Sequence, residues 1–463
     1  MTATPCSPAR NGFLCLLALA AGGCAPTVTL PTAPQVLSAH WRDAPAGGAH
    51  AQALPGNLGA AFRSADLAAL IASALGANPD IAIAAARIAQ ARGQLGIARA
   101  EMLPVVSASG GLSATKTDNA GGPLFNFSQG FAGLDVAFDV DLFGGLRAGK
   151  RAARSRLVAA SFERDAVALV VHAEVARAFV QHAALSDRIA LLDRNIGQAR
   201  ELDRIIRVRM WAGEATRVEV GLQAIQVRQL ETERLRLMEA QSRTRNALAV
   251  LAGEEAPIFA MPATGLGGMA VPALAMVQPG ELLVRRPDIR AAESRIAAAE
   301  GDVAQARAAF LPRLRLSASG LGQAATLAGP LGATLAAGAD LLAPIFNRGR
   351  LKGDLNVAAA TQVESVERYR KALLTALGEA EDALTAVERT HQRETLLIEI
   401  VEEARTTARL ARRQYIEGEA DLARVLDAEH LLVQAEDARA LAMQERLDAA
   451  IDLFKAMGGG ASL

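Results

Sequence analysis

The chain has 463 residues, 49 of them basic and 49 acidic, so it carries no net charge that would recruit nucleic acid or an anionic surface. Aromatic residues make up only 4% while alanine is abundant, which disfavours a dense globular core and suits closely packed helices. No uninterrupted apolar run reaches the roughly 18 residues that a membrane-spanning helix needs.

The N-terminus reads as a processing signal. Arg10 precedes an apolar stretch, Phe13 to Ala21, that is too short to cross a bilayer and ends in small residues. Ala21, Gly22, Gly23 and Cys24 resemble a lipobox, with Ala21 where leucine is usual. Cleavage there removes a signal peptide, 1–23, together with Cys6 and Cys15. Cys24 is then the single cysteine, carrying a covalent lipid and forming no internal disulfide. An ordinary signal peptide with an incidental cysteine is the alternative. Ala25 follows the cysteine in place of aspartate, which by resemblance to Gram-negative lipoproteins favours the outer membrane.

The rest of the chain is written twice. PDIAIAAARIAQARGQLGIARAEMLP, Pro79 to Pro104, lies over PDIRAAESRIAAAEGDVAQARAAFLP, Pro287 to Pro312, without a gap. Shared proline, glycine and Leu-Pro positions make this a domain-sized duplication rather than a solenoid array. In each half a helix starts at Pro79 or Pro287, with Asp80 or Asp288 at its positive end, and stops at Pro104 or Pro312. A strand pair follows. A very long helix comes next, about 147–211 and 349–416, each about 100 Å long at 1.5 Å per residue. Both end at Gly-Glu-Ala turns, 213–215 and 418–420, where Gly213 and Gly418 suit the left-handed position after a helix. A return helix occupies about 215–252 and 420–457. Leu373, Leu377, Ala380, Leu384 and Val387 step by four and three, and Leu426, Val433, Ala440, Leu447 and Phe454 by seven, as seams against neighbouring helices.

The strands are expected at about 105–115, 134–142, 313–322 and 335–345. LDVAFDVDL, 134–142, alternates without an error: Leu134, Val136, Phe138, Val140 and Leu142 on one face, Asp135, Asp139 and Asp141 on the other. Arg313 and Arg315 hold the matching face in the second half. Segments of this length fit tilted membrane strands. Four strands cannot close a useful barrel, and lipid does not tolerate an open edge. A membranous chain must therefore borrow strands from copies of itself, with the apolar face to lipid and the charged face to a wet pore. Phe125, Phe127, Phe131 and Phe138 supply an aromatic girdle in the first half, and the second hairpin has almost none. A hairpin pair capping a helical bundle is the alternative.

Catalytic inventory is poor. Six histidines are scattered, and no paired-histidine, CxxC or GxSxG spacing supplies ligands or a nucleophile, so no enzyme, metal or other cofactor is expected.

Together, Cys24, ELLVRRPDIRAAE (281–293), Leu-Pro at 311–312, PIFNRGRL (344–351) with DLFGGLR (141–147) as its first-half partner, GEADLARVLDAE (418–429) and KAMGGG (455–460) are similar to the outer membrane factors of the lipoprotein type. These are the TolC-like exit ducts of tripartite efflux pumps. The resemblance implies a mainly α fold with membrane β: a homotrimer whose twelve-stranded outer-membrane barrel continues into a twelve-helix periplasmic barrel. It implies a lipid-anchored N-terminal segment, 24–63, repeats at 64–252 and 280–457, an equatorial linker, 253–279, and a tail, 458–463. A periplasmic adaptor and an inner-membrane transporter would be its partners, and outer membrane lipid its surroundings. By the same resemblance, Tyr415, Asp421, Ala423, Arg424 and Asp427 form a periplasmic gate, and Gly213 and Gly418 mark the adaptor-facing tip. Arg285 and Arg286 are expected to serve helix entry and ion pairs rather than phosphate binding. A lipid-anchored coiled-coil scaffold and a protein-export duct are the alternative functions.

Overall fold

The computed structural model describes residues 40–42, 57–117, 125–262, 264–272, 277–324 and 330–459. Cys24, the signal peptide and the tail residues 460–463 lie outside these, as do the side chains of Phe125 and Phe127. In chain order the main elements are α1 Ala65–Ala77, α2 Pro79–Ala100, β1 Val105–Thr117, β2 Phe125–Val140, α3 Gly145–Trp211 and α4 Arg217–Ala252, then α5 Pro287–Ala308, β3 Arg313–Ala324, β4 Leu331–Leu342, α6 Arg348–Glu417 and α7 Leu422–Ala456. Among the described residues, one compact unit holds 87–161 and 291–370, and a second holds 40–86, 162–290 and 371–459. Each unit takes material from both repeats.

The first unit carries an antiparallel sheet in the order β1-β2-β3-β4. β2 starts at Phe125, nine residues before the alternation becomes legible, because its first half, FNFSQGFAG, mixes polar and glycine residues. Pairing with β1 from Thr117↔Phe125 to Val105↔Ala137 holds that half extended in spite of its weak strand propensity. The strand ends at Val140, which takes Asp141 and Leu142 out of it. β4 ends at Leu342 rather than near Ile345, since Pro344 has no N–H to give to a ladder. In the same unit α5 packs on the start of α3, and a Cβ on Gly301 would lie 2.9 Å from the Ala152 Cβ.

The second unit is helical. The segment 65–100 is apolar and long enough for a span by composition, but the extended backbone of Asn78 breaks it into α1 and α2. The Asn78 Oδ1 accepts from the Asp80 N–H at 2.8 Å, which caps the helix that Pro79 begins. Leu185, Leu192 and Ile196 of α3 join Leu230 and Leu237 of α4 in one buried cluster. On α7 the expected seven-residue stride is half-buried at Leu426, Val433 and Ala440 and fully buried at Leu447 and Phe454. The fully buried stride is Ala428, Ala435, Ala442 and Ala449. Alanines let helix axes approach closely, and a search for large apolar residues passes over them.

Among its described residues the linker has a three-residue 3-10 turn, Leu266–Gly268, and no longer helix. The Leu266 N–H donates to Asp187 Oδ2 at 2.8 Å, the Ala270 N–H to the Phe62 carbonyl at 3.0 Å, and the Trp41 indole to the Val277 carbonyl at 2.8 Å. Arg286 is buried, and its guanidinium takes Asp288 in a fork and Glu379 at 2.7 Å. The Arg-Arg-Pro-Asp stretch thus serves helix entry and ion pairing.

Candidate functional site

Two places concentrate chemistry: the turns at the ends of the long helices, and the two-faced sheet. At the first turn Gly213 has φ 82°, its N–H donates to the Met210 carbonyl, and the Glu214 N–H donates to the Arg209 carbonyl. At the second, Gly418 has φ 80°, with the same pair of bonds to Tyr415 and Gln414. This double bond closes a helix with a left-handed glycine. Each return helix is then capped by a side chain. Thr216 Oγ1 accepts from the Glu219 N–H while Glu219 Oε2 accepts from the Thr216 N–H, a reciprocal box. Asp421 Oδ1 accepts from the Arg424 N–H at 3.1 Å.

Between the turns lies a buried cluster of Leu202, Ile206, Ala411, Tyr415, Leu422 and Val425. Tyr415 is 3% exposed. Its carbonyl accepts from Arg209 Nη1 at 2.7 Å, the Arg209 guanidinium lies 4.9 Å from its ring centre, and its hydroxyl donates to Glu219 Oε1 at 3.4 Å. Burial and the Glu219 carboxylate push the tyrosine hydroxyl above its ordinary pKa. Tyr415 was expected on the aperture; its ring is instead packed inside the chain, because an amphipathic ring with both a cation and an acceptor at hand gains more there than in water. Beside it, Arg412 reaches Glu429 Oε1 and the Gln198 carbonyl. Burial raises the Glu429 pKa, with Arg412 opposing.

The other expected gate residues are on one open face of α7. Ala423, Arg424 and Asp427 are exposed, as are His430 and Leu431 a turn further on, while Leu422, Val425 and Ala428 face the cluster. Asp421 is exposed at the helix start and already engaged as the cap. Arg209 and Glu219 went unread in the sequence. Arg209 aligns with Gln414 of the second repeat, but 206–212 and 411–417 agree only at Arg207 and Arg412, so no local signal singles it out.

The sheet keeps its two faces across all four strands. Directly paired residues share a face, so Ser107, Asp135 and Ser319 lie on one side and Asp139, Arg315 and Asp340 continue it. Arg315 and Asp139 are 3.6 Å apart. Arg313 is on the same side, opposite Leu342. The other face carries Val106, Val136, Leu134, Phe138, Leu316, Leu335 and Leu341, and Val106, Leu134, Leu335 and Leu341 are more than half exposed. Asp141 is not part of the charged face. One residue past β2, it accepts from the N–H groups of Leu146 and Arg147 and from Arg147 Nε, capping α3. Although partial burial opposes it, those donors hold its carboxyl below the usual range.

The family of outer membrane efflux proteins matches residues 70–254 and 278–459. The chain is 35% identical over 470 residues to the pyoverdine export outer membrane protein OpmQ of Pseudomonas putida, covering 96% of this chain and 97% of that one. It is 29% identical to the outer membrane protein OprJ of Pseudomonas aeruginosa, over 98% and 96% of the two chains. Among solved structures it is similar to the outer-membrane channel OprN at TM-score 0.86 and 25% identity, over 94% and 99% of the chains. The open state of the Neisseria gonorrhoeae MtrE outer membrane channel matches at TM-score 0.84 and 27% identity, over 94% and 98%. With the duplicated helical hairpins and the two-faced sheet, these matches show that the chain belongs to the outer membrane efflux protein family and is an outer membrane efflux channel.

Proposed function

We propose that the protein works as a trimeric, gated duct for small molecules. Three copies of the four-stranded sheet would close a twelve-stranded barrel, and their long helices a twelve-helix periplasmic barrel. The observation that carries this reading is the sheet itself: an exposed apolar face, a charged opposite face, and outer strands β1 and β4 that are each paired on one side only. An open edge is untenable in lipid. The apolar face meets the bilayer, and Asp135, Asp139, Arg313 and Arg315 face water.

The gate is the open face of α7. Three copies of Asp427 near one axis repel or hold a cation, with Arg424 offsetting the charge and Ala423 leaving the constriction without a bulky plug. Tyr415 works from behind as a latch, tied to Arg209 and Glu219. Asp421 sets the start of the helix that bears the gate. The Gly213 and Gly418 turns present the tip to a periplasmic adaptor, which couples the duct to an inner-membrane transporter. Cys24 carries the lipid. Export of pyoverdine by a relative supports small molecules as cargo.

Conductance of the purified protein in a planar bilayer tests this, native against Asp427→Ala. A small cation-selective conductance that grows in the variant is expected. Silence from both proteins, with the trimer intact, would sink the free-standing duct.

A further inference from the structure

The duplication repeats a groove and leaves one copy of it incomplete. Ile196, Arg200, Glu231 and Arg234 line a cavity of about 390 Å³ beside α3 and α4. In the register that sets Gly213 on Gly418, these residues fall on Val401, Arg405, Glu436 and Arg439, and those four line a cavity of about 410 Å³ beside α6 and α7. Two ion pairs cross the first groove. Arg200 Nη2 reaches Glu231 Oε1 at 2.5 Å, and Arg234 Nε donates to Asp193 Oδ1 at 2.6 Å. The second groove keeps one of them, with Arg405 Nη2 3.0 Å from Glu436 Oε1. It lacks the other: where the first repeat has Asp193, the second has Ile398. Arg439 thus holds the place of Arg234 without the carboxylate.

A second cation joins it. Arg194 of α3 lines the same cavity. Every other arginine of α3 from Arg177 to Arg209 is paired with an acid, and Arg194 is not. The acids of the lining are already engaged. Glu436 is held by Arg405 at 3.0 Å and Glu394 by Arg446 at 2.5 Å. Asp187 is turned against the linker: its Oδ2 accepts from the Leu266 N–H at 2.8 Å, and a Cβ on Gly265 would lie 2.3 Å from its Oδ1. Arg194 and Arg439 are exposed, and among the described residues neither has a hydrogen-bond or ion-pair partner. The rest of the lining is largely apolar, with Leu191, Leu266, Val401 and Met443 in it.

We propose that this cavity binds a small carboxylate with an apolar body. The first repeat shows the chemistry that suits the position of Arg439: there the carboxylate of Asp193 accepts from the guanidinium. In the second repeat the ligand brings that carboxylate from outside. Arg194 adds a second set of donors, and the apolar lining takes the hydrocarbon. A volume of about 410 Å³ suits a small ligand. The site is built within one chain, away from the turns and from the sheet, and stands independently of the trimeric reading.

Hexanoate binding to the full-length protein in nanodiscs tests the site, with hexanol as the uncharged analogue. Hexanoate should bind saturably and hexanol at least tenfold more weakly, with hydrogen exchange slowed by hexanoate at 398–405 and 436–443. Arg439→Gln removes the donor, and Ile398→Asp supplies within the chain the acid that the groove lacks. Each should weaken hexanoate at least tenfold, because a charge-assisted hydrogen bond is either lost or already filled. Both positions are exposed, so thermal unfolding should match that of the native protein. Hexanoate that does not saturate, that binds both variants as it binds the native protein, or that binds no better than hexanol would overturn the proposal.

Discussion

The two helical turns share a backbone and differ in chemistry. Gly213 and Gly418 make the same left-handed closure, and Thr216 and Asp421 cap the helices that follow. Beyond the caps they part. The first turn exposes Trp211, Val218, Leu222 and Ile225, at 82%, 69%, 45% and 54%. At the matching positions the second has Ile416, Ala423, Asp427 and His430. The first tip exposes a row of apolar side chains; the second exposes an acid and a histidine beside Ile416 and Leu431. Hydrogen bonds of the main chain fix the shape of a turn whatever the outward side chains are, so duplication conserves the hinge and leaves the outward face free to diverge.

The charge difference is the largest effect to exploit. Exchanging Asp427→Leu and Leu222→Asp moves three charges in a trimer from one set of tips to the other. Cation selectivity of the planar-bilayer conductance should fall several-fold and the open-state current should change. Identical selectivity would mean that neither face lines the aperture. Next comes the tie between the tips. Arg209→Ala removes a charged hydrogen bond and a cation–π contact, about 2–4 kcal/mol together. Hydrogen exchange should accelerate around Tyr415 and less around Gly213; equal change at both tips would argue against Arg209 as the asymmetric latch.

The shared part of the comparison predicts equality. Gly213→Ala and Gly418→Ala each place a side chain at positive φ and should each cost about 1 kcal/mol. Unequal losses in thermal unfolding would show that a partner already bears on one turn. The smallest effect concerns pH. The raised pKa of Glu429 lies above the ordinary 4.5, so the fold favours its protonated form. That contribution is present below about pH 4.5 and is lost as pH rises through the folded value. The first repeat has Ala224 at this place and no such slope. Glu429→Gln should flatten the pH dependence of exchange at the second tip, by less than about 1 kcal/mol, and leave the first tip unchanged.

Much of the architecture was legible in the residues. Proline at the start and Gly-Glu-Ala at the turn delimit the helices to within two residues, and Leu-Pro marks the stop to within four, because each acts through its own backbone geometry. The alternation of 134–140 fixed the two faces of β2, since side-chain direction in a strand follows from the backbone alone. Four matters needed the folded chain. β2 begins at Phe125 because β1 pairs with it, and pairing is not local. Asp141 leaves the strand because two N–H groups and a guanidinium of α3 claim its carboxylate. The seam of α7 runs through alanines because neighbouring helices are close enough to need them. Tyr415 turns inward because Arg209, more than two hundred residues earlier in the chain, comes to lie over its ring. Local order was thus set by the sequence directly. Which faces are covered, and which remain open for another chain, depended on contacts between residues that only the fold brings together.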